Sequence, residues 1–526
     1  MRLAIVLAIA AAAAAQTPAP AGGWVTGRFI DADTGQPIPN YSPDGPDVYV
    51  KADGEGRFRV GSLPPGPQLV RFAGWPSWVS AWVTVAAGEE TGGLEIRVRQ
   101  NGRISGHVTD ENKDPIPDMH VCAMVREYMG GGLYTYPWQC VTSDDRGEYR
   151  LDRVLAGRVT YLLAEKPRSD SSVPQNPDLR APAYQTTYYP NTATSDGASP
   201  VILRSGEVRD HMDIQVRRSP QYCVEAIATN NGAPSSLSIK LTDEGAATSN
   251  MIPGSSSSGP ARASSGPDGK VRLCGLFPGQ FRLAAFTSGM NPTAFGATSF
   301  TVDKEDVRGI RVNAVPPTPL QGETVWDAPD PLSVVSISAR TVTNDALMAQ
   351  REHPGPQGQF TLSLFPSLDY VLEPTLAASA GAYVKDLACG GQSVLHRWLR
   401  PGAAAGDARL RIALANDGGF VAVASTQQNG AVAGNTTFLI LPESAAIEGV
   451  LADAMVVGHT GPSGDFKSPV LPPGKYYVLA TYDLVDKSPE TIAAIVRAKG
   501  HAKEVEVAPR ATAAVTVEPV AIFERP

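Results

Sequence analysis

The chain has 526 residues and a net charge of −8, and its Lys and Arg residues form no run or stripe. That balance excludes nucleic acid as the expected partner, because phosphate backbones are held by basic side chains gathered on one face. With 51 Gly, 45 Pro and 42% hydrophobic residues, the chain is turn-rich yet able to fill cores, below the ~25–30% Gly plus Pro of disordered segments. Its length suits three or four domains of about 150 residues, or more if they are small sandwiches.

Met1 and Arg2 lead into an apolar run from Leu3 to Ala15, and the chain turns polar at Gln16, Thr17 and Pro18. This is the pattern of a secretory signal peptide over 1–15, with Ala13, Ala14 and Ala15 as the small residues before the cut. The run is shorter than the roughly 20 residues a helix needs to cross a bilayer. No later run approaches that length, and no Cys at the cut could carry a lipid. The mature chain is therefore expected to be secreted, periplasmic or extracellular, with no membrane span.

One pattern then returns along the chain: Gly, one residue, an apolar residue, a short alternating strand, and a Pro-Gly or close variant opening another strand. Copies begin at Gly56, Gly147, Gly269, Gly358 and Gly464, and in four of them a second Gly follows at 66, 157, 279 and 474. The fourth copy ends instead at Pro366-Ser367. The first Gly, often after Asp53, Asp144 or Asp268, fits a tight turn needing positive φ, and Pro-Gly fits a second reversal between hairpin strands. Two alternating strands around Gly88-Glu89 match two around Gly206-Glu207. Alternation of this kind buries one face of a strand and wets the other. The expected fold is all-β, a tandem of small antiparallel β-sandwiches over 24–100, 101–218, 219–315, 316–415 and 416–526.

In the first unit, Val79, Ala81, Val83 and Val85 form one face of a strand, and Trp78 and Trp82 lie on the other, about 13 Å apart at ~3.3 Å per residue. With Trp75 beside them, these indoles could stack on sugar rings or contact a neighbouring module. In the second unit, Cys122 and Cys140 are equidistant from Gly131 in the run Gly130-Gly131-Gly132, so a hairpin turning there would set them opposite one another. They are expected to form either a cross-strand disulfide or two buried thiols. Tyr134, Tyr136 and Trp138 on that hairpin offer a second aromatic surface, or simply cross-strand packing. Cys223 and Cys274 in the third unit are candidates for a further bridge, and Cys389 is left as a buried hydrophobe. Lys166–Gln185 and Gly245–Pro267, with serines at 255–258, read as flexible loops. The one clear helix is Ser488–Gly500, with Ser488 as N-cap, Pro489 at the first helical position and Glu490 near its positive end.

The openings Val25-Thr26-Gly27-Arg28-Phe29 with Pro37-Ile38-Pro39, and Ile104-Ser105-Gly106-His107-Val108 with Pro115-Ile116-Pro117, align with one another. Together with the glycine pattern they resemble the carboxypeptidase regulatory-like domain family. The resemblance implies a transthyretin-like β-sandwich in exported bacterial proteins, and no chemistry that transfers to these residues. Tyr184 and Thr187-Tyr188-Tyr189-Pro190 are similar to an insertion loop of multi-module secreted proteins of this kind.

Catalytic and metal patterns are sparse. His501-Ala502-Lys503-Glu504 has His-x-x-Glu spacing without a third ligand, and Asp31-Ala32-Asp33-Thr34-Gly35 starts like a calcium loop but lacks the later acid. No nucleophile elbow, phosphate loop or His-Glu-x-x-His occurs, and no cofactor motif. The expectation is a non-enzyme that binds carbohydrate or a cell-surface protein, with a structural spacer or an accessory chain of a secreted enzyme as alternatives.

Overall fold

The computed structural model describes residues 22–523 apart from 43–49, 74–78, 130–131, 167–180, 245–260, 290, 327–333, 343–349, 377–381, 402–407, 446–447 and 462. The expected signal peptide over 1–15 lies outside these residues, as do most of the two serine- and proline-rich loops. Parts of those loops that are described form short strands, Ala183–Tyr184 and Ala261–Ser264. Two compact units are present. One comprises Met1–Ile30 with Pro37–Ile96, and the other Asp31–Gln36 with Arg97–Pro526.

The architecture is all-β, in small sheets that pair as sandwiches, with two short α-helices among the described residues. Four times, an opening strand sits between two partners. Gly102–Thr109, Tyr222–Asn230, Thr318–Trp326 and Phe420–Ser425 each pair antiparallel with the strand that follows the first repeat glycine. On the other side each pairs parallel with a closing strand near the end of its repeat. The first unit repeats the order, with Gly23–Asp31 between Arg57–Leu63 and Glu90–Val98. Most ladders are antiparallel, as alternation suggested. The parallel pairs require a long connection between their strands, and here that connection is the excursion through the second sheet.

The five repeat glycines share one conformation. Gly56, Gly147, Gly269, Gly358 and Gly464 have φ between 72° and 81°. Each N–H donates to the carbonyl three residues back, and each carbonyl accepts from the opening strand, at Phe29, Val108, Ala228, Thr324 and Ser425. A Cβ at Gly269 would stand 2.3 Å from the Ala228 carbonyl oxygen. Only glycine satisfies both the left-handed backbone and that approach.

The Pro-Gly element does not turn a hairpin. Glu148–Val154 belongs to the sheet of Gly102–Thr109, whereas Thr160–Glu165 belongs to that of His120–Met129. Lys270–Leu276 and Gly279–Phe286 are likewise split between sheets, as are Gln359–Leu364 and Tyr370–Leu376, and Asp465–Lys467 and Gly474–Thr481. The element thus carries the chain from one layer of the sandwich to the other, which closes the core. Its glycine has no fixed conformation: φ is 78° at Gly157 and 149° at Gly474, and Gly279 is not left-handed.

Separate cores follow from the alternation. Ile104, Leu151, Leu162 and Ile214 anchor one, Val224, Leu273 and Leu283 another, and Leu362, Leu410 and Ile412 a third. The third also takes in Ala284 and Phe295 from the outer face of the preceding sheet. Two clusters share the last repeat. One lies between its sheets around Val421 and Phe438, and the other lies beneath the helices α1 (Glu448–Ala454) and α2 (Pro489–Ala498).

Candidate functional site: the aromatic hairpin

Strands His120–Met129 and Gly132–Thr142 pair antiparallel, with Cys122 opposite Cys140. The structure joins these two cysteines at 2.04 Å, and joins Cys223 to Cys274. Cys389 is free and buried, and burial pushes its thiol pKa up. Met129 pairs with Gly132, one residue out of step with the pairing of Cys122 and Cys140. A register shift between Ala123 and Met124 restores the cysteine pairing. Gly132 is needed for a further reason: a Cβ there would lie 2.3 Å from the Val342 carbonyl oxygen. Tyr134 Oη donates to the Thr341 carbonyl at 3.2 Å, so the hairpin tip rests on the fourth repeat.

The hairpin aromatics are largely committed within the fold. Tyr136 is 3% exposed and packs with Val125 and Leu155, and its hydroxyl donates to Glu127 Oε2 at 2.6 Å. Burial, with the Glu127 charge, pushes its phenol pKa up. Trp138 Nε1 donates to the Arg153 carbonyl at 2.6 Å. Tyr136 therefore presents no ring to a ligand and follows the packing alternative, whereas Tyr134 and Trp138 are half-buried. Of the indole set in the first unit, Trp75 and Trp78 lie outside the described residues. Trp82 stands opposite Leu69 in the strand pair Gly66–Ala73 and Val79–Val85, where only the backbone is described.

What sequence reasoning missed is how the hairpin meets the last repeat. Glu127 Oε1 accepts from Arg158 at 2.8 Å, and Arg158 Nε lies 3.4 Å from Asp486 Oδ2. The Arg158 and Asp486 side chains are 9% and 2% exposed. Asp486 Oδ1 accepts from the Ser488 N–H and hydroxyl, and Ser488 Oγ accepts the Thr491 N–H as N-cap of α2. A chain of hydrogen bonds and ion-pair contacts thus runs from Tyr136 to a helix start, with Arg158 Nε and Nη1 buried and making no hydrogen bond. Beside it, Tyr161 Oη donates to Glu490 Oε1, and Tyr128 Oη donates to Glu448 Oε2 at 3.1 Å. The Tyr128 N–H donates to the Lys487 carbonyl at 2.8 Å, and its ring packs into the cluster under the helices. Burial first, then Glu490, raises the Tyr161 phenol pKa to about 12. Burial first, then Glu448, raises that of Tyr128. Buried charge of this kind tolerates no missing partner.

Elsewhere the chemistry is weaker. A groove of about 650 Å3 on the sheet of Gly102–Thr109 is lined by Ser105, His107, Glu148, Arg150, Asp210 and His211, among others. There His107 Nδ1 lies 3.4 Å from Asp213 and Nε2 3.5 Å from Glu148, while Ser105 Oγ donates to Asp210. The imidazole faces carboxylates on both sides. Glu504 pairs with Lys475 at 2.9 Å. Asp31 Oδ1 accepts from the Asp33 and Thr34 N–H groups and from the Thr34 hydroxyl, which makes this segment a turn. Burial opposes ionisation of Asp31, and hydrogen bonds from Ser205, Thr34 and Asp33 outweigh it, leaving its pKa lowered. Among the described residues, no group of three or more His, Cys, Asp or Glu could hold a metal ion. No described helix is long and apolar enough to cross a membrane.

No family profile matches the chain, and no curated protein matches it. The carboxypeptidase regulatory-like resemblance therefore gains no support beyond the tandem β-sandwich fold. Solved structures with local similarity include a streptococcal ancillary pilin, 11% identical, covering 56% of this chain and 99% of that one at a TM-score of 0.21. A minor pilin of Streptococcus agalactiae is 12% identical, covering 41% and 97% at 0.20. The TIE protein of Bacillus anthracis is 9% identical, covering 79% and 72% at 0.16. TM-scores this low give the likeness no weight for function.

Proposed function

We propose that this is an exported, non-catalytic binding scaffold of five sandwiches, divided at 24–100, 101–218, 219–315, 316–415 and 416–526, that recognises a carbohydrate or protein at a cell surface. The observation that carries the reading is the hairpin clamp. A spacer gains reach by setting sandwiches end to end, whereas here the second sandwich reaches the fifth through Tyr128, Arg158 and Tyr161. Such contacts hold loops of distant sandwiches in fixed register, which serves recognition more than length. Two disulfides fit an oxidising compartment, in keeping with export.

Exposed aromatics supply the expected contact points. Trp398 is 49% exposed. Trp24 is 37% exposed, but the Arg59 guanidinium covers one face of its ring at 3.8 Å. Calorimetric titration of the mature chain with a panel of polysaccharides is expected to find a binder whose affinity falls in Trp82→Ala or Trp398→Ala. No heat with any polysaccharide would remove carbohydrate from the reading. Scattering that fits an extended rod would turn it to the spacer.

A further inference from the structure

The residue after each repeat glycine stands opposite a residue of the opening strand, so the repeats set equivalent pairs on the outer faces of their sheets. In the later repeats no two like charges meet: Glu148 is opposite His107, Lys270 opposite Ile227, Gln359 opposite Glu323 and Asp465 opposite Ala424. In the first repeat, Arg57 stands directly opposite Arg28. Both side chains are exposed. Arg59, opposite Thr26, adds a third guanidinium on the same face. Like charges directly opposite one another destabilise a sheet, because their Cβ atoms lie only about 4.5–5.5 Å apart. A local rule broken in one repeat, and kept in the others on the same backbone pattern, marks a functional position and not a demand of the fold.

The three guanidiniums line a groove of about 890 Å3, together with Lys51, Asp53, Glu90 and Glu95 among others. The carboxylates of this groove are already engaged. Asp53 Oδ1 accepts the Glu55 and Arg57 N–H groups. Glu90 accepts from the Thr26 hydroxyl at 3.1 Å and lies 3.4 Å from Arg59, and Glu95 also has a partner. Arg57 pairs with Glu55. Among the described residues, Arg28 and Lys51 form no ion pair.

We infer that Arg28, Arg57 and Lys51 hold an oxyanion, a carboxylate or a phosphate, in this groove. A guanidinium presents paired N–H donors that match either group, and an anion between Arg28 and Arg57 replaces their repulsion with two attractions. Resting on the carbohydrate reading above, the oxyanion belongs to a charged sugar, a uronate or a sugar phosphate.

Calorimetric titration of the full mature chain with tri-galacturonate at low salt is expected to detect binding, weakened at least about tenfold by Arg28→Gln or by methyl esterification of the sugar. The unliganded Arg28→Gln chain is expected to melt at a higher temperature, because the substitution removes a repulsion and no internal ion pair. A guanidinium that served structure alone would give the opposite sign. Inorganic phosphate is the second probe, and whichever of phosphate and galacturonate binds more tightly identifies the group the site takes. The inference is overturned if the methyl ester binds as well as the acid, if Arg28→Gln leaves both affinities unchanged, or if that variant melts lower. A neutral polysaccharide bound while neither anion binds would overturn the site and leave the carbohydrate reading standing. Phosphate held in an Arg28-dependent way while no saccharide binds would keep the site and remove the sugar.

Discussion

Arg158 is the residue on which the hairpin clamp turns. Its guanidinium lies between Glu127 of the hairpin and Asp486 before α2, with all three side chains at 14% exposure or less. Removing one partner from a buried pair leaves the other charge uncompensated, at a cost of about 3–5 kcal/mol. Arg158→Ala is expected to show that loss as a lowered denaturation midpoint. Arg158→Met, which keeps the stem packing, should recover little of it, because Glu127 and Asp486 stay unpaired. His459 gives a second prediction. Burial lowers its pKa from 6.5 to about 4, so the folded chain keeps the ring neutral where the unfolded chain protonates it. The stabilisation is full above 6.5 and is lost as pH falls toward 4. The melting temperature should drop across that window, and less steeply in His459→Gln.

At the scale of the element, the repeat glycines were legible because one local geometry makes one demand on residue type. Gly269 and Gly232 separate the two parts of that demand. Both have positive φ, 73° and 84°, but a Cβ at Gly232 meets nothing within 4 Å, whereas at Gly269 it meets the Ala228 carbonyl oxygen. Gly232→Ala is expected to cost about 1–2 kcal/mol from the left-handed backbone alone. Gly269→Ala should cost more, and urea midpoints of the two variants measure the difference. The helix capped by Ser488 was legible for the same local reason, and runs Pro489–Ala498 before a 3-10 turn at Lys499–His501. The shorter Glu448–Ala454 has no comparable start signal in the sequence. The layer change at Pro-Gly was misread as a hairpin, since a reversal within a sheet and a crossing between sheets use the same residues. Parallel pairing of first and last strands was not legible either, because alternation does not record direction. The disulfides lie between legibility and its limit: symmetry about the glycine turn pointed to Cys122 and Cys140, but only the fold brings Cys223 to Cys274. Separations of 18 and 51 residues imply stabilisations of about 3 and 4 kcal/mol from the restricted unfolded chain. Replacing Cys223 and Cys274 with Ala should therefore lower the unfolding midpoint more than replacing Cys122 and Cys140.

At the scale of the whole molecule, the consequential contacts join residues more than 300 positions apart, as Tyr161 and Glu490 are separated by 329. No window of sequence carries such a pairing, so from sequence the hairpin aromatics read as a ligand platform or, more often, as cross-strand packing. The structure gives Tyr136 to packing and leaves Trp82 as a proposal. If the clamp is one cooperative element, opening it anywhere should open it everywhere. Tyr128 contributes a ring to the cluster under α1 and α2, a hydroxyl bond to Glu448 and a backbone bond to Lys487. Tyr128→Ala removes the first two and leaves the third. Hydrogen exchange followed by mass spectrometry should then show faster exchange in three peptides together: the hairpin tip, Glu448–Ala454 and Pro489–Ala498. The strands Val224–Ala228 and Leu410–Leu414, which lie outside the clamp, should keep their protection. Tyr161→Phe deletes the hydroxyl's bonds to Glu490 and Arg126 and keeps the ring, and should accelerate exchange less, in the same three places. Faster exchange at the hairpin tip with the helices unchanged would mean that Tyr128 merely covers a surface, and the fixed register on which the binding-scaffold reading depends would have to be sought elsewhere in the chain.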